Sequence, residues 1–197
     1  MDEAGKRYLV KSQWSADGVA ATELLRAEGF PAPRYVLVRP GLSVQEELPG
    51  ETLAERIRAD VVRGHHYVDL ALLERASPEL LRRCRNALAR AEDSLADPGD
   101  LVHWDYTTAN ILAVGAEITG VVDWDGVCNG DRLFDLVTLW YYTRTPILRD
   151  YVLAHTTRAV YAAYLGAVVV RQVAYSLKFH SPSVAPDLIA DALDVTA

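Results

Sequence analysis

Apolar and polar positions follow two regimes along the chain, and the change comes near Gly50. Before it the apolar runs are short. Arg7 to Val10 reads as a strand ending at Lys11. Residues Ser15 to Gly29 read as a helix, with Val19, Ala20, Leu24 and Ala27 on one side and Gly29 as the stop. Pro31 and Pro33 interrupt the chain. Tyr35 to Val38, the turn Arg39-Pro40-Gly41 and Leu42 to Glu47 then form a strand-turn-strand unit, closed by Pro49-Gly50.

After Gly50 helical spacing dominates. Thr52 to Ala59 reads as a short helix. Ser77-Pro78-Glu79 is a strong helix start, with Ser as cap and Pro in the first turn, and that helix runs to about Leu95 before Asp97-Pro98-Gly99. Its arginines Arg82, Arg83, Arg85 and Arg90 are interspersed with Glu79, Glu92 and Asp93, which reads as a solvated face. Short strands follow at Leu101-Val102, Ile111 to Val114 and Ile118 to Val122, the last two joined by a turn at Gly115. The remaining pattern predicts helices over Leu133 to Tyr142, Ile147 to Leu165 and Gly166 to His180, with a terminal segment after Pro186.

Composition narrows the partners. The 197 residues are half hydrophobic and 24% charged, an ordinary globular balance. The net charge of -7 argues against a nucleic-acid partner and suits a site that attracts cations. Cys84 and Cys128 form no CxxC pair and read as two idle thiols. The polar start MDEAGKR carries no signal-peptide pattern, and the apolar run Ala159 to Val170 is too short to span a bilayer. The expectation is a cytoplasmic protein with no membrane partner.

The chemistry is concentrated in residues 101–135, where His103, Asp105, Asn110, Asp123, Asp125, Asp131 and Asp135 fall mostly at turns and strand ends. If the strands after Asn110 form a hairpin, the end of the second returns beside the start of the first. Asp123 then lies near Asn110 and Asp105. Two carboxylates ~5 Å apart repel by about 3 kcal/mol at an effective dielectric near 20, and a divalent cation turns that repulsion into affinity. Oxygen-only ligands favour Mg²⁺ over zinc. An aspartate left to orient a hydroxyl completes the parts needed for phosphoryl transfer to an alcohol. A metal-dependent hydrolase using the same carboxylates is the poorer account of the spacing.

His103-Trp104-Asp105, four residues and Asn110 have the protein-kinase catalytic-loop spacing, and Val121-Val122-Asp123-Trp124-Asp125 looks like the metal-binding aspartate segment that follows it. With Gly130-Asp131 and Phe134-Asp135-Leu136, the chain resembles the aminoglycoside phosphotransferase/choline kinase group of the protein-kinase-like superfamily. The resemblance extends more weakly from about Lys11 to the C-terminus. It implies an α+β, protein-kinase-like bilobal fold: a truncated small N-lobe with the hinge strand over 1–49, and a larger, mainly helical C-lobe over 50–197. It implies ATP and Mg²⁺ as cofactors, a nucleotide and a small-molecule hydroxyl acceptor as partners, and an amino-sugar or amino-alcohol among the acceptor classes. Asp105 would be the catalytic aspartate, and Asn110 and Asp123 would hold Mg²⁺. His103 and Asp135 would support the loop. Lys11 would hold ATP phosphates with Glu23 as its helix partner, and adenine would bond the backbone near Glu46 and Leu48.

Two departures stand out. The family usually has Gly where Trp104 stands. No GxG pair occurs among the 12 glycines, and the chain starts just before the lysine strand, leaving no room for a phosphate-covering loop. The rival expectation is therefore a non-catalytic or truncated relative that binds a ligand or partner. A shortened small lobe would also expose apolar surface that a second copy covers in a homodimer.

Overall fold

The computed structural model describes residues 8–11, 16–27, 34–46, 53–64, 67–95, 99–123, 126–180 and 185–196. Leu48, Asp125 and the His65-His66 pair lie outside the described residues, as does the side chain of Lys11. The N-terminal part is a three-stranded antiparallel sheet of order β1-β3-β2, from β1 (Tyr8–Lys11), β2 (Tyr35–Arg39) and β3 (Leu42–Glu46), with α1 (Ala16–Ala27) between the first two strands in sequence. The β2–β3 turn passes through Gly41 at φ 72°, where a side chain would be strained.

The helical part begins with α2 (Leu53–Arg58), which continues into one wide π-type turn over Ala59–Arg63. Two helices follow, α3 (Leu70–Ala76) and α4 (Pro78–Ala91). The Ser77 hydroxyl accepts the Leu80 N–H at 3.4 Å, so the serine predicted to start α4 does cap it. Sequence reading missed α3, whose seven residues are too few to show a helical period.

Two short antiparallel pairs come next. β4 (Asp100–Val102) pairs with β7 (Cys128–Gly130), and β5 (Ile111–Val114) pairs with β6 (Glu117–Val121). Strand β7 was not predicted, because Cys-Asn-Gly has no strand-like pattern. Its glycine is a packing requirement: a Cβ on Gly130 would lie 2.2 Å from the Leu53 Cβ, so only Gly admits α2 against this strand.

The C-terminal helices are α5 (Leu133–Thr143), α6 (Pro146–His155), α7 (Arg158–Phe179) and α8 (Ala185–Val195). The expected division at Leu165/Gly166 is corrected. The break falls at Thr156–Thr157, and α7 runs unbroken through Gly166 for 22 residues. Thr157 caps it by accepting the Val160 N–H at 3.2 Å. Gly166 lies inside the helix against α4, where a Cβ would meet the Cys84 Cα at an ordinary contact distance of 3.4 Å. Residues Ala163 to Val170 of α7 are all buried, as α3, α5 and α8 pack on this helix besides α4, whose buried face is Leu80, Leu81, Cys84, Ala87 and Leu88. Helix α7 has the length and apolarity to cross a membrane, but 67% of its apolar window is buried among its neighbours, as in a core helix. Both cysteines are buried free thiols.

Candidate active site

The loop from His103 to Asn110 leaves β4 and enters β5 through a single 3₁₀ turn, Thr108–Asn110. Hairpin pairing places Ile111 opposite Val121. The ladder extends one step further, because the Val122 N–H donates to the Asn110 carbonyl at 3.0 Å. Asp123 is the next residue, so the end of the hairpin returns beside Asn110. Asp123 is exposed and adopts φ 64°, a left-handed conformation that Asp tolerates better than most residues.

Within the loop, the Asn110 side-chain nitrogen donates to the Asp105 carbonyl at 2.9 Å and to Asp105 Oδ2 at 3.2 Å. The Thr107 N–H also donates to the Asp105 carbonyl, at 2.8 Å. From α7, Arg171 donates to the Trp104 carbonyl at 2.7 Å and reaches Asp105 Oδ1 at 3.4 Å. The Arg171 side chain is only 14% exposed, against 47% for Asp105, so a half-exposed carboxylate is gripped from its buried side.

The loop is held from beneath by α5. Asp135 Oδ2 accepts the His103 N–H at 2.7 Å, and Oδ1 accepts the Trp104 N–H at 3.0 Å. Burial raises the Asp135 carboxyl to about 6, while these two bonds pull the other way. The buried His103 ring donates from Nε2 to the Val122 carbonyl at 2.9 Å, tying the loop's start to the hairpin's end. Asp131 accepts the Leu133 N–H at 2.9 Å just ahead of α5, and accepts the Tyr164 hydroxyl at 3.0 Å. Burial raises its carboxyl as well.

Trp104 stands at φ 77°, a conformation costly for a bulky residue and natural for the glycine usual in the family. Its indole packs under the loop, stacked on Phe134 with centroids 4.8 Å apart and planes 10° apart. The guanidinium groups of Arg56 and Arg171 lie 5.2 and 4.9 Å from its centroid. Arg56 also donates to the Gly126 carbonyl.

The structure thus brings His103, Asp105, Asn110 and Asp135 together, with Asp123 adjacent. The contacts described for the N-terminal candidates lie within residues 8–46. Lys11 pairs in register with Ser43 at the end of β1. Glu23 is exposed on α1 and bonds Arg26 at 3.3 Å. Glu46 ends β3 and bonds Arg34 at 2.6 Å. Two residues near the cluster, Arg171 and Gln172, escaped sequence reading, and Tyr142 read there as core packing. The Tyr142 hydroxyl donates to the Gln172 side-chain oxygen. Burial raises the Tyr142 phenol, with the Arg171 charge lowering it and Asp105 raising it, so the ring lies within the field of that pair. The available sign was Arg171 itself, a charge inside a helix that is otherwise apolar on its buried side.

The donor set fits Mg²⁺. The Asn110 nitrogen is turned inward to Asp105, which leaves its amide oxygen as the outward donor, and Asp123 adds an exposed carboxylate. Two hard oxygens leave most of an octahedral shell to water and phosphate, the usual balance for this ion. Among the described residues no group of three or more His, Cys, Asp or Glu is placed to hold a metal, so a protein-only cage is absent there.

Residues 54–166, more than half of the chain, match a family model described as phosphotransferase enzyme family. Over 68 residues the chain is 34% identical to the homoserine kinase of Methylobacterium nodulans and 32% identical to that of another Methylobacterium strain; each match covers 34% of this chain and 21% of the relative. The match thus spans about a fifth of those relatives' length. Among solved structures, a thermostable mutant of aminoglycoside phosphotransferase APH(4)-Ia in ternary complex with AMP-PNP and hygromycin B is similar at 17% identity, 99% of this chain, 88% of that chain and a TM-score of 0.50. A second mutant of that enzyme, also in ternary complex with AMP-PNP and hygromycin B, gives 13%, 99%, 87% and 0.52. These likenesses show a protein-kinase-like fold.

Proposed function

Because the chain belongs to the phosphotransferase enzyme family, we propose that it moves the γ-phosphate of ATP to a hydroxyl of a small molecule, an amino-sugar or amino-alcohol being the acceptor class that its net charge of -7 suits best. The observation that carries this reading is the state of Asp105. It is half-exposed and held by Asn110 and Arg171, on the loop whose last residue, Asn110, is bonded through its backbone to Val122, the residue before Asp123.

Asp105 orients the acceptor hydroxyl and takes up its proton as the phosphoryl group arrives. Arg171 fixes the rotamer of that carboxylate. Asn110 has two tasks: its nitrogen holds Asp105 and its oxygen, with Asp123, would hold Mg²⁺. When bound, Mg²⁺ supplies positive charge at the phosphate oxygens. His103 and Asp135 keep the loop's backbone in register with the hairpin. Lys11 with Glu23 for the phosphates, and the backbone near Glu46 and Leu48 for adenine, complete the nucleotide side of the proposal.

The test is transfer of labelled γ-phosphate from Mg·ATP to a panel of hydroxylated amines and sugars. Asp105→Asn should lower turnover by roughly 10²–10⁴-fold, the usual worth of a positioned base. Its thermal protection by Mg·ATP should remain. Turnover retained by this variant would overturn the assignment, and wild-type protein that neither transfers phosphate nor is protected by Mg·ATP would favour the non-catalytic reading.

A further inference from the structure

A cavity of about 980 Å³ opens between α4, the C-terminal end of α5, α6, the first half of α7 and the end of α8. It is separate from the catalytic loop. Tyr161 on its wall and Arg171 at Asp105 are ten residues apart on α7, about 15 Å along the helix axis. Its volume lies at the upper end of the range usual for small-molecule sites.

The lining reverses the charge of the molecule. Arg82, Arg83, Arg90, Arg144, Arg149 and Arg158 face two acids, Asp191 and Asp194, a local excess of +4 on a chain of net -7. Internal pairing uses part of this charge. Arg82 and Arg83 bond Glu79 at 2.5 and 2.7 Å, Arg144 bonds Asp191 at 2.5 Å, and Arg149 lies 3.8 Å from Asp150. Among the described residues, Arg90 and Arg158 make no hydrogen bond or ion pair. The arginines of α4 therefore do more than form the solvated face expected from their spacing. They converge with those of three other helices on one concavity.

Two aromatic rings stand in the remaining wall, which is otherwise mostly small and aliphatic. Trp140 and Tyr161 meet edge to face with centroids 6.0 Å apart. The Tyr161 hydroxyl is buried and finds no hydrogen-bond partner among the described residues. Burial raises this phenol to about 12, against the lowering effect of Arg149 and Arg144, so it is a standing donor at neutral pH. Forked guanidinium donors, an unused hydroxyl and an apolar ring surface together match a carbon skeleton carrying at least two phosphate groups.

We propose that this cavity is a second, non-catalytic ligand site that takes a small organic bisphosphate. Guanidinium groups from α4, α6 and α7 grip the phosphates while the Trp140–Tyr161 surface covers the skeleton.

The test is calorimetric titration of the full chain with fructose 1,6-bisphosphate in EDTA buffer, where Mg·nucleotide chemistry is silent, with sodium sulfate at equal ionic strength as control. Saturable binding is expected in the wild type and in Asp105→Asn. Charge reversal at the two unpaired arginines, Arg90→Glu with Arg158→Glu, should weaken it by at least about tenfold per residue. Tyr161→Phe should weaken it several-fold. Both arginines are exposed, so the variant should keep its circular dichroism; if it does not, Arg90→Gln with Arg158→Gln serves in its place and should show the same direction of loss. No saturable binding by the wild type, equal binding of sulfate, binding that survives both arginine pairs of changes, or binding lost in Asp105→Asn would each overturn the proposal.

Discussion

Asp135 offers the sharpest test of how the catalytic loop is held. Its two oxygens are the acceptors for the His103 and Trp104 N–H groups at 2.7 and 3.0 Å. Asp135→Ala leaves both donors in place with nothing to accept them. An unsatisfied buried donor costs about 1–3 kcal/mol, so the two together cost about 2–6 kcal/mol. Removing a desolvated carboxylate returns part of that, since burial has already raised this group to about 6. The expected loss is therefore about 2–4 kcal/mol at pH 7, a large share of a typical domain's stability. Asp135→Asn keeps one acceptor and should lose about half as much. Urea denaturation followed by circular dichroism measures both, with the slope checked for constancy. A loss below about 1 kcal/mol for the alanine variant would refute the view that Asp135 anchors the loop. The pH dependence carries an independent sign. A folded carboxyl raised above its unfolded value contributes stability that is present below about pH 4 and lost as pH rises toward and through about 6. Wild-type stability relative to Asp135→Asn should fall across that window, and a rise would contradict the direction of the shift.

Trp104→Gly relieves the strain of φ 77° but removes the stack on Phe134 and two cation–π contacts. These losses outweigh a strain of about 1–2 kcal/mol, so melting should shift downward; a higher melting temperature would show that strain dominates. Arg171→Lys should lower kcat at least about tenfold while leaving KM for ATP nearly unchanged, because it disturbs the rotamer of Asp105; a pure KM effect would place Arg171 in nucleotide binding instead. Cys84 is buried and its thiol is pushed up to about 12, so it should resist disulfide-exchange reagents at pH 8 until the protein unfolds; rapid labelling of the native thiol, assayed in a Cys128→Ser background, would contradict its packing against α7.

Much of the site was written locally. His103, Asp105 and Asn110 share one loop, Asp123 follows one short hairpin, and such spacings survive as sequence motifs because few residues separate their members. The cap at Ser77 and the hairpin turn at Gly115 are local too, and both were legible. The helix division at Gly166 was misjudged because a glycine that stops a helix and one buried within a helix against a neighbour look alike in sequence. Only α4 lying against α7 distinguishes them. Arg171 showed in sequence only as a charge within an apolar helix; its partner was not legible, because it meets Asp105 across 66 residues and nothing in the pattern of α7 tells which side of the helix faces the loop. The meeting of arginines from separate helices around one cavity is likewise a product of packing. By itself the sequence determined which side chains share the loop from His103 to Asn110 and its hairpin, since that depends on near neighbours. The tertiary structure alone decided which distant side chains grip the loop and where positive charge gathers, since those depend on helix faces that meet only when the chain folds.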